Sequence, residues 1–470
     1  MPQFAQKTNV RFAPQTSHKN CSRHRTPGVK FRVLQAICLL LSPTFVAAQG
    51  RPELPAELTL PQALRMALSN STLLRTSQAR SDEAAGQTEQ SRAQLLPQLG
   101  LVARQTYYTA NLIGLGLDIP TLPSQIGPAA GMDARVVLRE NLFNITQLRA
   151  WQSARSRERS SRFLVNNARE LITLIVVTTY LDALRAKASR DSLLKQTQLA
   201  QDLYRTTRDR VNQGVSAELD ANREMQQVNT LTQQRQEFEQ RYVAAKLELA
   251  SILQAHISAD FEVSDAAAYG DMLNLATSDR NAAIQAALIS RADYISAEAN
   301  VQAAQSSLKS AQSARLPTLR VLLSDGQSGS TPTHNVNTYT FAGEAELPIF
   351  TSGLIRGETK EAEGALREAK SALDETRSNV EKDVLTALSG VEWALKEVET
   401  STGNATLSRQ EVELTRARFT QGISDNTELI NAQTRLSQAE DARIRARYTL
   451  GLARAELARA TGVAEASYPK

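Results

Sequence analysis

Hydrophobic positions along this chain follow two rhythms, and the pair of rhythms occurs twice. Over 60–95, Ala63, Leu64, Ala67 and Leu68 recur at three- and four-residue spacings, which predicts one buried helical face. The same spacing runs over 280–315, in Ala283, Ile284, Ala287 and Leu288. Each stretch is expected to stop at a Leu-Pro pair, Leu96-Pro97 and Leu316-Pro317, because proline disfavours helical geometry in the residue before it. A period of two follows. Leu99, Leu101, Ala103 and Tyr107 share one face of a strand near 97–109, and Val136, Leu138 and Leu142 mark a second near 133–143. Leu319, Val321 and Leu323 mark a third near 317–324, and Tyr339, Phe341 and Leu347 a fourth near 337–350. Strands of about ten residues can cross a membrane when tilted. Loops rich in Gly and Pro, 110–131 and 324–336, are expected to join them. Long helices come last in each half. Residues 145–213 contain neither Gly nor Pro, and a helix of that length is about 100 Å long. Helices are predicted over 145–213 and 217–254, then over 355–421 and 426–462, with breaks at Gly214 and Gly422.

The recurrence is an internal duplication. At an offset of 220, Leu96, Pro97 and Leu99 meet Leu316, Pro317 and Leu319. At 207, Leu142-Phe143 meets Ile349-Phe350. At 208, the run from Arg208 through Gly214 to Ser216 meets Arg416 through Gly422 to Ser424. The offset falls because the first strand-pair loop is 13 residues longer than the second. The chain therefore divides into a leader (1–48), a first repeat (49–254), a linker (255–279), a second repeat (280–463) and a short tail (464–470). The expected fold class is mainly α with membrane β, each repeat being short helix, strand pair and long helical hairpin.

Composition changes the picture at the N-terminus. Residues 1–48 carry seven basic residues and no Asp or Glu, and an apolar run, Val33 to Leu41, leads to Val46-Ala47-Ala48. That order reads as a secretory signal peptide, with a core too short for a membrane span. The 29 residues ahead of Lys30 are unusually many, which leaves a true start further downstream open. Both cysteines, Cys21 and Cys38, lie in this leader, so the mature chain has no thiol for disulfides, nucleophilic catalysis or metal binding. Ile37 argues against Cys38 as a lipid-anchor cysteine, because such signals favour a small residue there. Removing the seven from 54 basic residues leaves 47 against 49 acidic ones, so a nucleic-acid partner is not expected. Aromatic residues are only 5%, which suits long helices better than compact mixed domains. Outside the leader the strongest apolar run, Leu171 to Tyr180, is ten residues between Glu170 and Asp182 and reads as a buried helix face.

The export signal, the duplicated plan, the paired Leu-Pro stops and the Gly-containing turn after each first long helix together resemble the TolC-type outer-membrane efflux and secretion channel family. The likeness covers roughly 56–463. It implies a homotrimer in the outer membrane of a Gram-negative-type bacterium, with a 12-stranded β-barrel in lipid and a coiled-coil tunnel in the periplasm. It also implies passive transport, with a periplasmic adaptor and an inner-membrane RND or ABC transporter as partners. Its gate lies at the helix ends, where the matching segments here are Gly214 to Asp220 and Gly422 to Glu428. Glu428 matches an acidic ring position, whereas Asn431 stands at the second. Asp220 matches Glu428 in the first repeat. A latch tyrosine and arginine of related channels fall on Phe419 and Ser424, so a latch of that kind is not expected. The adaptor-contact tips are Arg210, Gly214, Val215, Ser216, Arg418, Gly422, Ile423 and Ser424. A soluble periplasmic coiled-coil scaffold is the rival reading; it leaves the four amphipathic strands without a role.

Signals for chemistry are weak. His256 and His334 are 78 positions apart, and a metal site needs convergent ligands. No G-x-S-x-G context supports a hydrolase triad, and Gly114-Leu-Gly116 lacks the third glycine and following helix of a phosphate loop. No enzyme activity and no cofactor are expected. Charge clusters such as Arg155–Arg159 and Glu358–Glu363 suit solvated helix faces. Glu428 itself has an ordinary alternative role, as an acid favoured at a helix N-terminus.

Overall fold

The computed structural model describes residues 52–116, 123–264, 279–331, 333–421 and 423–468; the leader and Gly422 lie outside them. The first repeat holds β1 (Glu57–Leu58), α1 (Leu60–Asn70), α2 (Thr72–Ala93), β2 (Gln98–Asn111), β3 (Gln125–Phe143), α3 (Ile145–Asn212) and α4 (Glu218–Ile252). The second holds β4 (Glu262–Val263), α5 (Arg280–Ser290), α6 (Ala292–Ser313), β5 (Thr318–Thr331), β6 (His334–Glu346), α7 (Leu354–Thr420) and α8 (Asn426–Ala460), followed by α9 (Ala464–Ser467). Among the described residues no helix is long and apolar enough to cross a membrane.

Two expectations need correction. The first helix of each repeat is broken rather than continuous, at Ser71 (ψ 129°) and Arg291 (ψ 120°), matching positions at the offset of 220. Arg291 is buried, and its guanidinium binds Asp293 at 2.6 Å and Asp383 at 3.1 Å, which holds the bend against α7. The strands also run further into the glycine-containing segments than alternation suggested. Gly326 and Gly329 sit inside β5 because the neighbouring backbone comes close. A Cβ on Gly326 would lie 2.2 Å from the Ala134 carbonyl oxygen, and one on Gly329 2.1 Å from that of His334. Loop composition there reflects close strand packing, not irregular backbone.

The long helices are held in two tiers. Near the sheet, α3 packs against α6 through small side chains: Ser153 Oγ donates to the Ala303 carbonyl at 2.8 Å, and Ser160 and Ser296 hydroxyls meet at 2.8 Å. Farther along, α3 pairs with α4 and α7 with α8 as antiparallel hairpins. Between the tiers lies the main core, where Val176, Val177, Tyr180 and Leu184 of α3 pack with Leu58, Leu60, Leu249 and Val263. Short β1 and β4 pair in parallel there. Tyr180 Oη shares its proton between the carbonyls of Ser264 (2.7 Å) and Leu58 (2.9 Å), tying α3 to this small sheet.

Candidate functional site

Two regions concentrate unusual surface: the four-stranded sheet and the hairpin tips. The sheet has order β2-β3-β5-β6 and is antiparallel throughout. Register places Leu101 beside Val136, Leu138 beside Leu323, and Leu323 beside Phe341. Alternation gathers these residues with Leu99, Tyr107 and Tyr339 on one face. That face is bare, with Leu101 76% and Tyr339 81% exposed. The opposite face carries Arg104, Arg135, Arg139, Arg320, Glu344 and Glu346. Its ion pairs, Arg135–Asp133 and Arg320–Glu346, are both 2.6 Å. Apolar outside and charged inside is the pattern of a barrel wall in lipid. A soluble scaffold has no use for so large an exposed apolar face. Strands β2 and β6, of 14 and 13 residues, leave their outer edges unpaired among the described residues.

At the first tip, α3 ends where Gly214 takes a positive φ of 73°, and the amides of Val215 and Ser216 return to the Arg210 carbonyl at 2.9 and 3.3 Å. Glycine suits this left-handed position. Asp220 then caps α4, accepting from the Ala217 amide at 3.3 Å. At the second tip, Ile423 N returns to the Arg418 carbonyl at 3.0 Å. Asp425 caps α8, accepting from Glu428 N at 2.8 Å. The Glu428 carboxylate faces its own hairpin: Arg418 donates to it at 3.3 Å, and Ser424 Oγ also binds it. Asn431 is exposed about one turn farther on, and Val215 and Ile423 are bare apolar tips, 69% and 64% exposed. Phe419 is buried with Leu203 and Leu429.

Contacts between the two tips were not legible in the repeat pattern. Arg210 reaches across to the end of α7, donating to the carbonyls of Phe419 and Thr420 at 3.0 Å each, with its guanidinium 4.7 Å from the Phe419 ring centre. It thereby satisfies helix-terminal carbonyls that lack intrahelical partners and places a cation at the negative end of the helix. Asn426 Nδ2 donates to the Asp220 carbonyl at 3.0 Å, and Arg223 to Thr427 Oγ1 at 3.2 Å. The two tips are thus joined through Arg210, Arg223 and Asn426. His256 and His334 are both exposed, and among the described residues no group of three or more His, Cys, Asp or Glu is placed to hold a metal.

Residues 283–463 match the family described as outer membrane efflux protein. The fold is similar to that of a membrane protein from Pseudomonas aeruginosa, at 19% identity and TM-score 0.77, covering 86% of this chain and 90% of that one. It is also similar to the outer membrane protein VceC of Vibrio cholerae, at 17% identity and TM-score 0.75, covering 86% and 96%. A third likeness is to the outer membrane channel CmeC of Campylobacter jejuni, at 17% identity and TM-score 0.72, covering 86% of each chain. No curated protein matches this chain by sequence. The family match thus covers the second repeat, and the likeness of fold to these solved structures runs through both repeats.

Proposed function

We propose that three copies of this chain close a twelve-stranded barrel in the outer membrane and continue into the periplasm as a helical tunnel, a passive exit for substrates of a tripartite efflux or type I secretion system. The observation that carries this reading is the sheet. One face is apolar and exposed, the other is charged, and both edge strands are long and unpaired among the described residues. Backbone groups on an open edge have no partner in hydrocarbon, so the sheet must be completed by other strands. Because β2 and β6 run in opposite directions, β6 of one copy can pair antiparallel with β2 of the next. Four strands are too few for a barrel and twelve are enough. Lipid covers the apolar face. The hairpin tips are the gate, with Glu428, Asp220, Asn431 and Phe419 at its constriction. The exposed tip residues, Arg210, Val215, Ser216, Arg418, Ile423 and Ser424 with the glycines beside them, meet a periplasmic adaptor, which joins the tunnel to an inner-membrane RND or ABC transporter.

The test is extraction from isolated outer membranes into mild detergent, followed by electrophoresis with and without heating. A trimer that falls to monomer on heating is expected, and the purified trimer should conduct ions across a planar bilayer. A monomer in the soluble periplasmic fraction would overturn the proposal.

A further inference from the structure

Glu224 is the group that neither the channel wall nor the tip contacts explain. It lies on α4, two turns from the tip, and is fully buried, with neither carboxylate oxygen hydrogen-bonded. Seven-residue steps along the α3–α4 seam show what surrounds it. From Leu193 and Phe238 the seam passes through Ala200 and Leu231 and arrives at Thr207 and Glu224. Thr207 is also fully buried, and its hydroxyl is without a partner. The layer on one side is apolar, made by Leu203, Phe419 and Leu429. Asn426 approaches from the second hairpin, binding the carbonyl of Asp220 one turn before Glu224, while its own Oδ1 remains buried and unpartnered. Helical steps and the Asn426–Asp220 bond thus bring three buried side chains with unpartnered oxygens, Thr207, Glu224 and Asn426, to the junction of α3, α4 and α8.

A carboxylate anion has no counter-charge in this layer. On α4, Arg223 turns to Thr427 and stands 3.9 Å from Asp220. On α3, Arg208 pairs with Glu218 and Arg210 is held on the end of α7. On α8, Glu428 pairs with Arg418. Among the described residues no group of three or more His, Cys, Asp or Glu is placed to hold a metal, so no cation site supplies the missing charge. A proton answers both difficulties. It removes the charge and creates an O–H for which Asn426 Oδ1 is an available acceptor. Burial, and behind it the charge of Asp220, pushes the Glu224 carboxyl up to about 7.

We propose that Glu224 is a proton-binding site that keeps the first hairpin tip closed while neutral and loosens it when ionised, a regulation that rests on the gate reading above. The sign follows from linkage. As pH rises from about 4.5, the acid of an opened, hydrated tip ionises while the buried one stays neutral, so closure weakens up to about pH 7. Above that pH both forms are charged and the bias no longer changes. The test is the opening frequency of the full-length trimer in planar bilayers, with the tip side taken from about pH 5 to about pH 8. Wild type should open on the order of 70-fold more often at the upper end, most of the rise on a logarithmic scale falling below about pH 7. Glu224→Gln should stay at the low-pH level throughout, whereas Glu392→Gln, on the body of α7, should keep the rise. A Glu224→Gln channel that follows wild type across the range would overturn the proposal; a wild-type trimer that never conducts would instead refute the channel reading. If Glu224→Gln does not assemble, Asp220→Asn serves. Removing its charge should move the wild-type rise to lower pH, and an unmoved rise would overturn the proposal.

Discussion

The two hairpin tips descend from one motif, yet equal residues in them do unequal work. Arg210 and Arg418 stand at matching positions at the offset of 208. Arg418 stays within its own hairpin and holds Glu428, whereas Arg210 crosses to the other hairpin and caps α7. Asp220 and Glu428 also match; the first caps its helix start directly, while the second leaves that task to Asp425. Glu224, buried and charged by type, is answered in the second repeat by Ala432, equally buried. Duplication thus supplied two identical scaffolds, and function came from the residues that differ. One tip became a lock between hairpins. The other became a cap around Glu428, with Asn426 reaching back to the first hairpin.

The largest effect should come from erasing the difference at Ala432. Ala432→Glu places an acid in a fully buried site between α7 and α8. A loss of about 3 kcal/mol or more in the second hairpin is expected from overpacking and an unpaired buried group. Hydrogen exchange over 405–445 would measure it, and protection like wild type would mean that the two seams are equivalent. Next in size is Arg210→Ala, which removes two charge-assisted hydrogen bonds and a ring contact. About 2 kcal/mol, or roughly 30-fold in tip opening, is expected. Arg418→Ala breaks only a half-exposed pair and should shift opening by less than about 1 kcal/mol. Equal opening in the two variants would end the distinction between lock and cap. The smallest effect on stability belongs to Glu428→Gln, which should leave the trimer's heat resistance unchanged. If the carboxylates ring the pore, it should still lower cation preference and weaken divalent block, while Glu392→Gln on a helix body does neither. Unchanged selectivity would make Glu428 simply a helix-start acid.

Much of this architecture was legible in the chain because periodicity and punctuation are local signals. The Leu-Pro stops, the uninterrupted 145–213 stretch and the alternation in the strands each report on a residue's near neighbours. The bends at Ser71 and Arg291 were not, since neither residue is a helix breaker. Arg291 bends its helix because Asp383, far along the chain, binds it. The strand extensions through Gly326 and Gly329 were hidden by the same composition that makes loops. Arg210 was legible as a tip residue, but its partner lies in the other repeat, out of reach of any within-repeat pattern. Glu224 did leave a trace. Ala221, Glu224, Val228 and Leu231 follow the three-four spacing of a buried stripe, and an acid on such a stripe marks a group that must be neutral or paired.

The two open strand edges set the order of events in the cell. In the proposed trimer, a single chain delivered to the membrane carries a sheet that hydrocarbon will not accept, so insertion would have to wait for two other copies. Assembly then becomes a reaction whose rate climbs steeply with local concentration. A cell that halves synthesis would lose far more than half of the rate at which finished channels form. Chains still waiting expose an apolar face and two adhesive edges to the periplasm, which makes delay itself the hazard and escort by a chaperone the natural remedy.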